Sequence, residues 1–311
     1  MKKVLALSLL TALTFQACSS GTQTPITLEQ NVPAEQNTIV SSSAASRANH
    51  SPMFADKLKM GKNYKVLASM KKYARNSMCG KDDKQEVNSY DGTLGQTTGF
   101  VKAHQGAVAA IEDKSTDSSS KFCSGTMISE DLFLTASHCI ESGDATKNYL
   151  AFNYEKSKGA STLLKQEHFK VLEVVEEGGS SETDYSILRI EGKPGAKFGF
   201  SKVNTNATKE GDLFTIIQHP SGKPKQVEVG HRGKATSGVY MGYGDLDTEP
   251  GSSGSGVLNE AGEVVGVHTN GGCGPTSGEN KAVMLTEIAK VSKTVQTLVQ
   301  TQVGKSGKAK K

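Results

Sequence analysis

A series of short apolar runs, separated by clusters of Gly, Asn, Asp and Ser, fills the chain between residues 107 and 268. Apolar runs of this length, bounded by turn-forming residues, are typical of β-strands. The runs are 107–111, 122–128, 132–136, 149–154, 170–175, 185–190, 213–217, 226–229, 256–258 and 264–268. Many short strands joined by turns predict an all-β domain, either a barrel or a sandwich.

The C-terminal region has a different periodicity. Apolar residues recur there at helical spacing, at Leu285, Ile288, Val291, Val295, Leu298 and Val299. This spacing predicts a closing amphipathic helix over about 286–302. The last residues, 304–311, are small and basic, and we expect them to form a disordered tail.

Composition narrows the class of protein. The chain has 311 residues, 35% of them apolar and none of them Trp, which excludes a small disulfide-scaffold peptide. No apolar run of membrane-spanning length follows the first residues, which excludes a polytopic membrane protein. The 36 Lys and Arg residues nearly balance the 32 Asp and Glu residues, so the charge does not favour nucleic-acid binding.

The N-terminus has the pattern of an export signal over residues 1–18. Lys2 and Lys3 precede the apolar stretch 4–13, and small residues follow. The segment that ends at Cys18 resembles a bacterial lipobox, so lipidation of Cys18 and ordinary cleavage near Ala17 are both open. Residues 19–77 are rich in Ser, Thr, Gln, Asn and Ala, which indicates a largely irregular spacer or pro-segment.

Export determines how the other four cysteines are interpreted. An oxidising compartment favours disulfides over reduced thiols. No Cys-x-x-Cys pair occurs in the sequence, so a zinc site has little support, and we expect neither a metal nor another cofactor.

Three separated motifs carry the residue types needed for acyl transfer. His138 ends a predicted strand pair, Asp184 precedes an apolar strand, and Ser253 lies in the run Gly-Ser-Ser-Gly-Ser-Gly over 251–256. Taken singly, each has an ordinary explanation: a surface or core histidine, a turn aspartate and a flexible loop. Together they supply a hydroxyl, a base of near-neutral pKa and a carboxylate that orients the base.

In this order and context the motifs resemble those of the chymotrypsin-fold serine proteases. The resemblance implies that His138 is the general base, Asp184 its orienting carboxylate and Ser253 the nucleophile. It also implies that the backbone N–H groups of Gly251 and Ser253 form an oxyanion hole. Glycine suits this place because the donors must point at one spot without interference from a Cβ.

The same resemblance covers residues 78–303 and implies two six-stranded antiparallel β-barrels followed by a C-terminal α-helix. It also implies a disulfide between Cys123 and Cys139 that holds the histidine loop to the barrel. The turn at 218–224, which contains His219, is similar to a family turn between strands, and we interpret it as structural.

Within the family, the sequence is most similar to the bacterial glutamyl endopeptidases. Ser252 stands where most trypsin-like enzymes have an Asp, and the segments 243–257 and 266–272 resemble the nucleophile region and pocket wall of the glutamyl branch. The resemblance implies that Thr248 and His268 bind an acidic substrate side chain through hydrogen bonds. Asp247, near the pocket base, keeps a Lys/Arg preference open, and His268 could instead be a buried structural histidine.

The segment 80–87 resembles the start of mature glutamyl endopeptidases, which implies maturation near Ser77 or Met78. In that family the new N-terminus lies beside the specificity pocket. Cys79 would then approach Cys273 on the outer pocket wall, and we expect a Cys79–Cys273 disulfide; the alternative is two free thiols, which export disfavours.

The sequence therefore predicts an exported serine endopeptidase, made as a precursor, that cleaves polypeptides after Glu or Asp. Two alternatives remain open. One is a trypsin-like endopeptidase of another residue preference, and the other is a non-catalytic envelope lipoprotein that uses its barrel for binding. We expect a monomer that binds no nucleic acid and contacts the membrane only through a lipid on Cys18.

Overall fold

Six antiparallel strands close into a barrel in the N-terminal half of the described chain. The strands are β2 (Val108–Glu112), β3 (Lys121–Met127), β4 (Leu132–Thr135), β5 (Tyr149–Phe152), β6 (Glu167–Glu177) and β7 (Ser186–Ile190). Their hydrogen-bonded order is β2-β3-β4-β7-β6-β5. Every residue of β2 is buried, whereas the long β6 is mostly accessible, so the barrel has one covered wall and one exposed wall.

This computed structural model describes residues 77–140, 143–179, 181, 183–234, 236–274 and 277–308. The predicted signal at 1–18, Cys18 and nearly all of the predicted pro-segment at 19–77 lie outside the described residues. In the described part, no helix has the length and apolar character needed to cross a membrane.

The C-terminal half forms an eight-stranded antiparallel sheet of order β1-β9-β8-β12-β13-β14-β11-β10. Its strands are β1 (Gln85–Glu86), β8 (Leu213–Gln218), β9 (Gln226–His231), β10 (Thr236–Ser237), β11 (Tyr240–Tyr243), β12 (Gly256–Leu258), β13 (Val264–Asn270) and β14 (Asn280–Met284). The two-residue strands β1 and β10 lie at its edges. The predicted all-β class is confirmed, with this extended sheet in the place of a second six-stranded barrel.

The predicted C-terminal helix is present as two helices, α3 (Leu285–Val291) and α4 (Lys293–Lys308), separated by Ser292. Glu176 of β6 accepts hydrogen bonds from the Ser292 hydroxyl and from the backbone N–H groups of Lys293 and Thr294. A carboxylate at this position satisfies the first N–H groups of α4. Helix α4 continues to Lys308, so part of the expected tail is helical.

The structure also has two short α-helices, α1 (Thr98–His104) and α2 (Pro194–Phe198). The hydroxyl of Thr97 caps α1 by accepting from the Phe100 N–H at 3.1 Å. Phe198 of α2 stacks on Phe152 of β5, with ring centroids 4.6 Å apart. The second of these contacts packs α2 against the first barrel.

Candidate active site

The candidate base lies on a short turn that directly follows β4. The turn, Ser137–Cys139, is a single 3₁₀ turn, and a disulfide joins Cys139 to Cys123 of β3. The hydroxyl of Thr135 also donates to the Ser124 carbonyl of β3 at 2.8 Å. The histidine turn is therefore fixed to the barrel wall by a covalent bond and a hydrogen bond.

Asp184 holds His138 through two hydrogen bonds. One carboxylate oxygen accepts from the His138 backbone N–H at 3.0 Å, and the other lies 2.6 Å from Nδ1. Asp184 is fully buried just before β7, the strand that pairs with β4. Because Nδ1 donates to the carboxylate, the neutral ring carries its lone pair on Nε2, the atom that can accept a proton.

Ser253 lies on a loop that packs against the histidine turn. Its carbonyl oxygen accepts from the Ser124 N–H at 2.9 Å, and the sulfur of Cys139 lies 3.7 Å from the same oxygen. Gly254 has a φ of +88°, and a Cβ there would lie 2.1 Å from Thr135 Oγ1 and 2.2 Å from Ser124 O. Only glycine allows this approach, which brings the nucleophile loop against Ser124 and against Thr135, the last residue of β4 before the histidine turn.

The peptide before Gly251 has a fixed orientation. The Pro250 carbonyl accepts from the Ser221 N–H at 2.6 Å, and the Gly251 carbonyl accepts from the Ser124 hydroxyl at 2.8 Å. Since a trans peptide places its C=O and N–H on opposite sides, the Gly251 N–H points away from the turn of Ser221. The next N–H group, that of Ser252, donates to the Glu249 carbonyl at 2.9 Å.

His268 of β13 lies behind the nucleophile loop. Its backbone carbonyl accepts from the Gly254 N–H at 2.7 Å, and its N–H donates to Ser255 O at 2.9 Å. Its Nδ1 lies 2.5 Å from the hydroxyl of Tyr243, which is also buried. The strand thus places the His268 backbone beside the two residues that follow Ser253, while its ring contacts Tyr243.

Burial determines the protonation states of His268 and Tyr243. Burial, with a smaller effect from the charge of His138, lowers the pKa of His268 to about 3, so its imidazole is neutral at physiological pH. Burial also raises the pKa of the Tyr243 phenol well above its ordinary value. Tyr243 therefore donates to Nδ1, and the neutral His268 ring carries its hydrogen on Nε2 as a donor.

Thr248 and Asp247 have different environments, although they are adjacent. Thr248 is fully buried, and its Oγ1 has no hydrogen-bond partner among the described residues. Asp247 is 2% exposed and accepts from the Cys79 N–H through Oδ1 at 2.5 Å. Its Oδ2 is likewise unpartnered within the described chain, and burial raises the pKa of Asp247.

The segment at the predicted maturation point, residues 77–79, contacts Thr248, Asn280 and Cys273. The Ser77 carbonyl accepts from the Thr248 N–H at 3.0 Å and from Asn280 Nδ2 at 2.8 Å. Cys79 forms a disulfide with Cys273, as the family resemblance implied. Residues 77–79 are thus held by hydrogen bonds from Thr248 and Asn280 and by a disulfide to Cys273; we call these three partners the wall that carries Thr248.

Sequence reasoning missed three residues that organise the site: Ser124, Tyr243 and Asn280. The Asn280 amide donates to Ser77 O and Leu246 O and accepts from the N–H groups of Gly272 and Cys273. A buried Asn on a strand was a weak signal, and Ser124 was adjacent to a cysteine already singled out. His219, interpreted as structural, is buried in its turn, where its Nδ1 lies 3.1 Å from Lys223 O.

Comparison with known proteins gives matches over most of the described chain. The family model "Lysyl endopeptidase, C-terminal domain" matches residues 93–283. Exfoliative toxin A of Staphylococcus aureus is 28% identical over 47% of this chain and 55% of its own length. Glutamyl endopeptidase of Staphylococcus aureus strain MRSA252 is 25% identical over 57% of this chain and 50% of its own length.

Among solved structures, a Glu endopeptidase in complex with MPD has a TM-score of 0.48 and 18% identity, covering 68% of this chain and 94% of the other. The chain spans between 26% and 55% of the length of the curated relatives that it matches. The family model covers more than half of the chain, with the candidate base, carboxylate and nucleophile inside the matched residues. The chain therefore belongs to the family described as lysyl endopeptidase, C-terminal domain.

Proposed function

We propose that this protein is an exported serine endopeptidase whose catalytic residues are His138, Asp184 and Ser253. The observation that carries the proposal is the pair of hydrogen bonds by which buried Asp184 holds His138, on a turn packed against the Ser253 loop. This arrangement orients a base on a turn that contacts the nucleophile loop, and acyl transfer requires such a base within reach of a hydroxyl. A non-catalytic binding role would not require it.

In the proposed mechanism, His138 Nε2 accepts the Ser253 hydroxyl proton while Oγ attacks the substrate carbonyl. Asp184 stabilises the imidazolium that forms. The N–H groups of Gly251 and Ser253 donate to the oxyanion of the tetrahedral intermediate. The imidazolium then protonates the leaving amine, and water, deprotonated by the same base, hydrolyses the acyl-enzyme.

For the cleaved residue, we propose Glu or Asp. The support is a buried donor pair: the neutral His268 ring with its hydrogen on Nε2, and the Thr248 hydroxyl, which has no partner among the described residues. A carboxylate that leaves water needs hydrogen-bond donors of this kind. The substrate carboxylate would accept from both groups.

A preference for Lys or Arg is the second candidate, and one observation favours it. Asp247 lies next to Thr248, with a buried Oδ2 that has no partner within the described chain. If this oxygen were open to the pocket, it would pair with a substrate cation. The two preferences differ in the sign of the charge that the pocket accepts.

Precursor processing and export complete the proposal. Cleavage near Ser77 or Met78 would fall at the segment whose Ser77 carbonyl accepts hydrogen bonds from Thr248 and Asn280, and would release the residues before it. The signal-like residues 1–18 and the two disulfides support export to an oxidising compartment. Lipidation of Cys18 would tether the precursor to a membrane, and we propose that the mature enzyme is monomeric.

A panel of peptides that differ only at the cleaved residue tests this function. The panel compares Glu, Asp, Gln, Lys and Ala, with the Ser253→Ala variant as the blank. Selective cleavage after Glu supports the acidic pocket, and cleavage after Lys supports the role of Asp247. Absence of cleavage by the processed protein, together with no reaction of Ser253 with an organophosphonate, would support a binding role instead.

A further inference from the structure

Three carboxylates from separate parts of the chain lie close together, and one of them belongs to the residue that precedes Thr248. They belong to Asp83, Glu228 and Asp247, and one oxygen of each lies within 4.8 Å of the others. Glu228 is on β9 and is 1% exposed, Asp247 is 2% exposed, and Asp83 is exposed. The cluster is therefore closed on the protein side and open to solvent on the side of Asp83.

The two buried members have oxygens that the protein leaves unpartnered. Glu228 Oε1 accepts from the Val229 N–H at 3.1 Å, and Asp247 Oδ1 accepts from the Cys79 N–H at 2.5 Å. The other two oxygens, Glu228 Oε2 and Asp247 Oδ2, have no hydrogen-bond partner among the described residues. A buried carboxylate oxygen without a donor or a cation is strongly disfavoured.

Lys84, whose charge acts on both buried carboxylates, does not pair directly with these oxygens among the described contacts. Lys84 Nζ lies 2.6 Å from Asp82 and 3.5 Å from Glu249, and it also contacts the sulfur of Met78 at 3.3 Å. The charge of Lys84 acts on Glu228 and Asp247 only at longer range, while Asp82 and Asp83 oppose it at Asp247. Burial, followed by the charge of Asp83, raises the pKa of Glu228 to about 9. The cluster thus requires another positive charge or a retained proton.

We propose that Asp83, Glu228 and Asp247 bind a calcium ion. All the available donors are carboxylate oxygens, the ligand type that hard divalent cations prefer. Each Ca–O bond is about 2.3–2.6 Å long, so three oxygens that lie within 4.8 Å of one another can share one Ca²⁺, whose coordination is more flexible than the near-ideal octahedron that Mg²⁺ demands. Exposed Asp83 provides an entry path, and water completes the coordination.

The ion has a consequence for the pocket, and this consequence rests on the proposed function. Asp247 directly precedes Thr248, so the negative charge of the carboxylate cluster, if no cation balanced it, would repel a substrate carboxylate bound at Thr248. A bound Ca²⁺ cancels much of that charge and favours acidic side chains. Calcium binding itself does not depend on any protease activity.

Calcium titration of the full chain carrying Ser253→Ala, which prevents self-digestion, tests the site. Calorimetry measures binding of Ca²⁺ alone and of Mg²⁺ alone, and thermal unfolding is followed over the same concentrations. We expect saturable Ca²⁺ binding with a Kd on the order of 10⁻⁴ to 10⁻³ M, as in extracellular calcium modules, and a rise in Tm with Ca²⁺. Mg²⁺ should bind at least tenfold more weakly.

Two variants assign the binding to the cluster. Glu228→Gln keeps the shape of the buried side chain, and Asp83→Asn changes only an exposed member, so its folding is not at risk. Each should weaken Ca²⁺ binding at least tenfold, whereas Glu210→Gln, at an exposed acidic residue outside the cluster, should leave it unchanged. Absence of saturable binding, or equal binding by the Asp83→Asn variant, would overturn the calcium site and favour a shared proton.

The peptide panel separates this inference from the proposed function. Saturable Ca²⁺ binding combined with cleavage after Lys would retain the site and reject the acidic preference. Cleavage after Glu without any Ca²⁺ binding would retain the preference and reject the site.

Discussion

The hydroxyl of Ser124 donates a hydrogen bond to the carbonyl oxygen of Gly251 at 2.8 Å, across 127 positions of the sequence. The same hydroxyl accepts from the His219 N–H at 2.9 Å, and the Ser124 backbone N–H donates to Ser253 O. One residue of β3 therefore supports both ends of the proposed oxyanion hole. Its role is positioning, because it acts through the peptide groups of Gly251 and Ser253.

Replacing Ser124 with Ala should lower kcat about tenfold and leave KM nearly unchanged. Loss of the hydroxyl frees the Gly251 carbonyl and leaves the His219 N–H unsatisfied, and about 1.4 kcal/mol of lost transition-state stabilisation corresponds to tenfold in rate. Steady-state kinetics on the best peptide measure the split. Ser201→Ala is the control, because Ser201 is buried and its hydroxyl has no described partner; an equal effect in both variants would count against a positioning role.

Asp184→Asn should lower kcat/KM by about 10⁴-fold, the loss known when an amide replaces the orienting carboxylate of a catalytic triad. The amide would donate to Nδ1 and turn the neutral His138 ring into the wrong tautomer. Progress curves at several pH values measure the loss. The exposed Asp144, whose carboxylate accepts from the Thr146 N–H, provides the control Asp144→Asn; a similarly small effect of both changes would remove Asp184 from the mechanism.

Thr248→Val should reduce kcat/KM for a Glu peptide about tenfold and affect the matching Gln peptide less. The substitution keeps the volume but removes a hydroxyl that would donate to the substrate carboxylate, and hydrogen bonds to charged groups contribute about 1.5–3 kcal/mol. Thr215→Val, at a buried threonine of β8 whose hydroxyl also lacks a described partner, is the control. If the ratio of kcat/KM for the Glu peptide to that for the Gln peptide is unchanged in Thr248→Val, Thr248 does not recognise the substrate carboxylate.

Removal of the Cys79–Cys273 disulfide by a double Ser substitution should lower the Glu-to-Gln selectivity. This bond holds residues 77–79 against the wall that carries Thr248. The paired variant Cys123→Ser/Cys139→Ser should instead lower kcat, because that bond fixes the histidine turn. Kinetics at a temperature at which both variants remain folded measure the contrast, and identical patterns would argue against separate roles.

In the presence of EDTA, the free energy of unfolding should fall as pH rises from about 5 to about 9. The folded-state pKa of Glu228 is raised to about 9, so its contribution to stability is fully present below its unfolded pKa, near 4.5, and is lost as pH approaches 9. Glu228→Gln should flatten this dependence. Urea unfolding between pH 5 and pH 9 measures it, and the same slope in parent and variant would show that Glu228 is ionised in the fold.

Much of the strand pattern was predictable because apolar runs report burial directly. The run 256–258 coincides with β12, and the runs at 132, 149, 213, 226 and 264 begin at the first residues of β4, β5, β8, β9 and β13. Strands β11 and β14 escaped prediction because Gly242 interrupts the first and Asn280 opens the second. The break at Ser292 depends on Glu176, a partner 116 residues away, so local periodicity could not reveal it.

The candidate triad followed from motifs, whereas its supports did not. Ser124, Tyr243 and Asn280 act through contacts 25 to 203 residues away in the sequence, which only the folded chain brings together. The adjacent pair Asp247 and Thr248 shows the same limit. Sequence placed both near the pocket, but only the fold shows Asp247 bonded to the Cys79 N–H and near Glu228.

Covalent labelling of the processed protein with a peptidyl phosphonate that carries Glu at the reacting position tests the central claim most directly. Intact mass followed by peptide mapping gives the number of adducts and their site. The account predicts one adduct, on Ser253, that is absent from Ser253→Ala and forms far more slowly in His138→Ala. Labelling that persists in Ser253→Ala, or a rate unaffected by His138→Ala, would contradict the claim that these residues form one nucleophilic site.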